Sequence, residues 1–301
     1  MASRPISLFQ TFLMLVLIVF WGSSFVVVKV TLGNGLTPIA IATYRFLAAG
    51  GFFLIALLFK RSLNSSYRVV VEKKDTPVFL VLALTGITLF FVVQYTGIQM
   101  AGPSIAAILV CLLSPVLITV LSARMFKEYL TTKQIFGIII AIPGTLSVIS
   151  GGVFSVQGSS QLLMGSMILL LTPILWAIYT LLGKKIMEKY DAFLVVAYTN
   201  LLGGLLLVPF SLAESSFYRI LTLGINEWSA ILYLSLTCSL LGYYLWFYVL
   251  GKAGAAASSF LFAEPLVTLL FVIRFTEETL NPYILLGGLL IFVGVYFVTR
   301  K

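Results

Sequence analysis

Histidine is absent from this 301-residue chain, and only 10% of its residues are charged. Without histidine, the commonest general base and the commonest metal ligand are missing. Cysteine occurs twice, as Cys111 and Cys238, each inside an apolar run. That placement argues against a disulfide framework and against a metal site. Acidic residues number ten against nineteen basic ones, a net charge of +9. The excess would suit a nucleic-acid partner, but no basic patch with interleaved aromatics is present. The charges lie in short gaps between apolar runs, where membrane proteins keep Lys and Arg. Soluble proteins of ordinary composition carry about 25% charged residues, so the scarcity of charge itself excludes an ordinary soluble domain.

What is present is apolar: 60% of the residues are hydrophobic and the mean hydropathy is +1.11. A helix needs about 20 mostly apolar residues to cross the hydrocarbon. Runs of that size are expected near 8–30, 38–59, 77–98, 103–125, 133–150, 162–183, 192–212, 228–250, 255–275 and 282–299. Pro38, Pro77, Pro103 and Pro282 stand at or near the starts of four of them, where a missing N–H loses no partner. The first run passes Val19 without a small-residue cleavage site, so it is expected to be a retained helix. With the N-terminus placed inside, fifteen Lys and Arg fall in inner segments and three, Lys29, Arg219 and Arg274, in outer ones. Both termini are therefore expected in the cytoplasm, and the chain in the plasma (inner) membrane.

The two halves, 1–150 and 151–301, repeat one another. A shift of 150 positions carries Pro115 onto Pro265, Arg124 onto Arg274, Glu128 onto Glu278 and Leu130 onto Leu280. The same shift carries Gly137 onto Gly287, Gly144 onto Gly294, and Ala106 and Ala107 onto Ala256 and Ala257. A shift of 155 puts Trp21 on Trp176 and Lys29 on Lys184. Five spans per half is an odd number, so the second half must enter the membrane from the opposite side. The expected fold is an all-α polytopic membrane protein, ten transmembrane helices forming two inverted-topology five-helix repeats around a central cavity. Such repeats are the signature of alternating-access carriers, with the substrate site near the midplane.

The stretches FWGSSFVVVKV, IATYRFLAAG, GPSIAAILVCLLSPVLITVLSARMFKEYLT and FLFAEPLVTLLFVIRFTEETL resemble, in order and spacing, the EamA family of the drug/metabolite transporter superfamily. The resemblance covers essentially the whole chain. It implies ten helices around a central cavity, cytoplasmic termini, and export or exchange of small metabolites such as amino acids. Many relatives have Gly before the glutamate that ends the ninth span, whereas this chain reads Thr276-Glu277-Glu278. That difference makes the outer end of the helix more acidic.

Glu264 is the one acidic residue deep inside an apolar run, and Pro265 follows it. From a start near Ala255, a helix rising about 1.5 Å per residue reaches Glu264 roughly 13 Å in. An ionisable group there costs on the order of 3 kcal/mol and faces a cavity or a partner. Glu264 is thus a candidate ligand for a substrate amine, or a carrier of a coupling proton, with a buried carboxyl bonded to a neighbouring helix as the structural alternative. Its repeat mate is Ser114, before Pro115, so the kink is kept and the charge is not. Arg45 is a candidate carboxylate anchor or outer gate. Snorkelling, or pairing with Glu277 and Glu278, is the reading its family-wide YRF setting favours. Trp21 and Trp176 lie near mid-span, deeper than an interfacial belt. In GYYLWFYVL, Tyr243 and Trp246 share one face, Tyr244 and Tyr248 the next. Trp21, Trp176, Gln94 and Tyr244 are the chosen cavity-lining candidates. Gly137, Gly144, Gly287 and Gly294 are expected at close helix crossings.

Three readings compete. A membrane-embedded enzyme is disfavoured by the missing histidine and by the absence of clustered acids or a membrane-depth Lys. A channel or structural membrane protein would show a filter loop or charge ring and would leave the repeat unexplained. A secondary carrier explains it. Aromatic lining with one carboxylate suits an amino acid or another amine-bearing metabolite. A sugar-phosphate or nucleotide-sugar antiporter, of the same superfamily, would want clustered Lys or Arg. No cofactor, metal or nucleic-acid partner is expected, only the solute and membrane lipid.

Overall fold

The structure is a computed structural model that describes residues 7–67, 69–127, 129–150, 160–253, 259–278 and 281–299. Glu128, Ala256, Ala257 and Leu280 lie outside the described residues, as do four of the fifteen inner basic residues, Arg4, Arg68, Arg300 and Lys301, and the expected start of the ninth span. Among the described residues all regular structure is helical. Nine helices are long and apolar enough to cross a membrane: α1 Leu8–Gly33, α2 Pro38–Leu63, α3 Lys73–Ala101, α4 Pro103–Met125, α5 Thr132–Ser150, α6 Ser160–Ile186, α7 Ala192–Ala213, α8 Ile225–Val249 and α10 Pro282–Thr299. Between α8 and α10 a 3₁₀ turn, Ser259–Ala263, leads into the α-helix α9, Glu264–Phe275.

Proline sets several of these starts. Pro38, Pro103 and Pro282 open α2, α4 and α10, and the Thr37 hydroxyl accepts the Ala40 N–H to cap α2. Pro265 is the second residue of α9, so the break before it is a junction of 3₁₀ and α geometry. Pro115 follows a π-helical turn, Ile108–Leu112, inside α4. Two further π-helical stretches interrupt α3 at Leu84–Thr88 and α8 at Leu234–Leu241. Such turns leave main-chain groups out of the α ladder and recur at functional sites.

The outer surface of the bundle is apolar. Ile139 and Leu146 on α5 and Leu286 and Leu289 on α10 are more than half exposed. A soluble protein would not present such a surface, and in a bilayer it faces lipid. The opposite faces of α5 and α10 meet at glycines. A Cβ at Gly144 would stand 2.8 Å from the Gly287 carbonyl oxygen, and one at Gly287 would stand 2.6 Å from that of Gly144. Gly137 and Gly294 meet in the same reciprocal way. Numbers rise along α5 as they fall along α10, so the two helices cross antiparallel and back to back.

The bundle is tied at both ends. At one end, Lys189 is bonded to both Glu72 and Asp75, Tyr190 donates to Asp75 (2.7 Å), and Lys60 pairs with Asp191 (3.5 Å). At the other, Asn34 donates to Glu227 (2.9 Å), Thr37 to Glu214 (2.8 Å), and Arg219 to the Gly35 carbonyl.

Candidate functional site

A cavity of about 50 Å³ lies at mid-bundle. This is room for a few ordered waters. Seven helices and the turn before α9 wall it. Arg45 comes from α2, Gln94 from α3, Cys111 and Ser114 from α4, and Glu264 from α9. The rest is largely aromatic: Trp21 and Phe25 of α1, Phe90 and Phe91 of α3, Trp176 of α6 and Tyr243 of α8.

The Arg45 guanidinium is 2% exposed. Its Nε donates to Ser239 Oγ (2.8 Å) and its Nη1 to Tyr95 Oη (2.6 Å). Its Cζ sits 4.6 Å from the Phe91 ring centre and 4.9 Å from that of Phe46. Cation–π contact and two neutral acceptors hold the group in place. Among the described residues no carboxylate pairs with it. Arg45 therefore neither snorkels nor meets Glu277 or Glu278, the arrangement its YRF setting favoured. Glu278 instead accepts the Ser104 N–H (3.4 Å) at the start of α4, where a helix N-terminus attracts negative charge, and burial pushes its carboxyl up from the ordinary range.

Glu264 is 5% exposed and opens α9. Cys111 lines the cavity beside it. Its main chain is fixed by the next turn, where Thr268 donates to the Gly22 carbonyl of α1 (2.9 Å). A buried guanidinium and a buried carboxyl group thus face the same small space without forming an ion pair. Buried ionisable groups left so are costly unless something polar fills the gap between them.

Trp21 and Trp176, chosen from their mirrored positions, meet in this cavity edge to face, with ring centres 5.8 Å apart. The Trp21 indole N–H donates to the Cys238 carbonyl (2.9 Å), which belongs to the π-helical stretch of α8. Gln94 lines the cavity as well, and so does Ser114, the counterpart of Glu264 in the repeat. Pro115 and Pro265 each follow one of these lining residues. Tyr244 lies elsewhere. It is 40% exposed on the outer face of α8, beside Phe193 and Tyr248. Its neighbour Tyr243 takes the place assigned to it. The pairing of faces within GYYLWFYVL holds, but which face turns inward is set by the π-helical stretch just before it. Tyr95 and Ser239, which position Arg45, and Cys111 beside Glu264 were not singled out as site residues. The polar tip of Tyr95 within an apolar run was the available signal. Among the described residues, no three His, Cys, Asp or Glu side chains cluster to hold a metal ion.

The fold defines a polytopic membrane protein with a small, largely aromatic cavity at mid-bundle. The chain belongs to the EamA-like transporter family, whose sequence profile matches it twice, over residues 8–150 and 163–300. It is 30% identical over 294 residues to an uncharacterized transporter of Archaeoglobus fulgidus, covering 97% of this chain and 98% of that one. It is 28% identical to a probable amino-acid metabolite efflux pump of Salmonella typhimurium, covering 95% of this chain and 93% of that one. A solved structure, titled only as the crystal structure of a protein, superposes with a TM-score of 0.64 at 18% identity. It covers 96% of each chain and supports the fold alone.

Proposed function

We propose that this transporter is a secondary carrier for a small zwitterion, an amino acid or a closely related amine-bearing acid. Arg45 takes the carboxylate, Glu264 takes the ammonium group, and Trp21, Trp176, Phe90 and Tyr243 enclose the rest. The observation that carries this reading is a buried guanidinium and a buried carboxyl group, not paired with each other, lining one aromatic-walled cavity. A zwitterion satisfies both charges at once. A sugar phosphate or nucleotide sugar carries two or more negative charges and would leave Glu264 opposed, so the antiporter alternative is the weaker one.

The carrier works by alternating access between two inverted five-helix repeats, residues 1–150 and 151–301. The antiparallel, reciprocal crossing of α5 and α10 at four glycines supports that symmetry, because a two-fold axis brings each residue's mate into the same contact. The excess of Lys and Arg at the Lys189 end supports cytoplasmic termini in a plasma membrane and an inward orientation of that end. Transport is export or exchange, and Glu264 is the residue placed to carry a coupling proton if one is used.

The test is counterflow in proteoliposomes with a panel of labelled amino acids, polyamines and sugar phosphates. Accumulation of one or more amino acids is the expected result. Accumulation of sugar phosphates alone, or flux that does not saturate, would overturn the proposal.

A further inference from the structure

Three buried polar atoms that the cavity does not explain lie one helical turn away from it, toward the Lys189 end. Tyr179 Oη and Thr180 Oγ1 of α6 and Trp246 Nε1 of α8 are buried and make no formed hydrogen bond. A fourth, Asn200 Oδ1, lies in the adjacent α7. Buried polar groups are ordinarily satisfied, so several orphans in one layer ask for a partner.

The register of the helices places them on the path. Tyr179 and Thr180 follow cavity-lining Trp176 by three and four residues, and Trp246 follows cavity-lining Tyr243 by three. Each therefore continues, one turn onward, the face that walls the cavity. Trp246 packs against cavity-lining Trp21 and Trp176, with ring centres 5.9 and 6.3 Å apart, and beside it the way onward is filled by a plug of rings. Tyr179 packs 5.4 Å from Trp176 and 6.1 Å from Tyr243, centre to centre. The plug is seated on α3: the Tyr179 ring lies directly against Gly86, where a Cβ would collide with it, and Tyr243 Oη donates to the Gly86 carbonyl (3.3 Å). Gly86 is the centre of the π-helical turn Leu84–Thr88, a geometry that can revert to α. Beyond the plug, Lys189 bonded to Glu72 and Asp75 ties the α6–α7 turn to the start of α3.

We propose that Tyr179, Thr180 and Trp246 form a second contact layer for the transported zwitterion, between the central cavity and the Lys189 face, shut in this structure by Tyr179 and Tyr243 seated on Gly86. All three supply hydrogen-bond donors, which suits the carboxylate end of the solute as it leaves or enters the Arg45 site. The layer is satisfied by solute and water when the plug lifts and is left unsatisfied when it closes. The closed state is thereby kept from being too stable to reopen. This inference rests on the carrier reading.

The experiment is labelling of Thr180→Cys with a membrane-impermeant maleimide in oriented vesicles, measured in excess of the parent protein, whose Cys111 and Cys238 are buried. Reagent applied to the Lys189 face should label slowly, and reagent on the opposite face should not label. Adding Gly86→Ala, which denies Tyr179 its seat, should raise the rate at least about tenfold, because labelling of a closed site tracks its open population. Should Gly86→Ala fail to fold, Lys189→Met, an exposed change that releases the end tie, is expected to accelerate labelling in the same direction. A mixture of the proteinogenic amino acids should slow labelling of the opened variant. An unchanged rate in a folded variant, or equal labelling from both faces, would overturn the shutter. A mixture that drives counterflow in the parent yet leaves labelling untouched would overturn the contact layer. Failure of the carrier reading shows separately, as absence of counterflow in the parent protein.

Discussion

Replacing Glu264 by Gln removes the ionisable group and leaves shape almost unchanged. In the proposed reading the substrate ammonium then loses a charged acceptor and keeps a neutral one. Hydrogen bonds to charged groups contribute about 1.5–3 kcal/mol and neutral ones about 0.5–1.5, so the difference is about 1–2 kcal/mol. At 1.4 kcal/mol per tenfold, that is about a 5- to 30-fold weakening. The structure points to the upper end. Glu264 is 5% exposed, the cavity has room for few waters to screen it, and the Cys111 thiol that lines the cavity with it is at most a weak donor. The assay is exchange in proteoliposomes, comparing the half-saturating concentration of an amino acid with the inhibition constant of the same acid lacking its amine. The zwitterion should weaken by the stated factor, whereas the des-amino acid, which never met Glu264 favourably, should not weaken. Equal weakening of both, or of neither, would refute the assignment of the ammonium group to Glu264.

Three further outcomes follow from particular contacts. Gly144→Val puts side-chain carbon into the Gly287 backbone and should cost about 1–3 kcal/mol, read as a lower thermal transition in detergent, while Ile142→Val on the lipid face should leave it unchanged. Tyr244→Leu should not alter the half-saturating concentration, since that ring faces outward; a change would mean that Tyr244 reaches the solute. The Asp75 and Glu72 carboxylates raise the Lys189 pKa above its ordinary value. A raised folded value means that the tie is fully present below the ordinary lysine pKa of about 10.4 and is lost only as pH rises beyond it. Any pH dependence of exchange between about pH 6 and 9 must then originate elsewhere, and its profile should keep its shape in Lys189→Met.

The spans were legible because apolar length and helix-opening prolines are local. α2, α4 and α10 begin at Pro38, Pro103 and Pro282, where the sequence puts them. Glu264 was legible because a carboxylate in hydrocarbon is rare. The partners of Arg45 were not. Ser239 is 194 residues away and Tyr95 is 50, and nothing local in YRF distinguishes a guanidinium that snorkels from one caught between aromatic rings. Tyr243 was missed for another reason. A 3.6-residue period run through α8 loses phase at Leu234–Leu241, where the main chain bonds to the fifth residue back, and no side-chain pattern announces that change. Residues that act through packing at a distance are written in the fold, and only their polar tips are written in the sequence.

The two charges are also carried by different parts of the bundle. Arg45 is bound through Ser239 to α8 and through Tyr95 to α3, whereas Glu264 is bound through Thr268 to α1. Trp21 already ties α1 to α8 at the Cys238 carbonyl, so a zwitterion held at both ends draws α9 toward α2, and it binds best at the separation seen here. A ligand shifts a conformational equilibrium only by its differential affinity for the two states. An acid lacking the amine would engage Arg45 with no grip on Glu264, so it would bind without favouring closure over opening. The expected result is an inhibitor that competes with the amino acid yet is itself carried slowly, seen as inhibition of exchange without counterflow of the labelled des-amino acid. If that acid is carried as fast as its parent amino acid, closure does not depend on bridging the two charges, and Arg45 alone would have to account for the coupling.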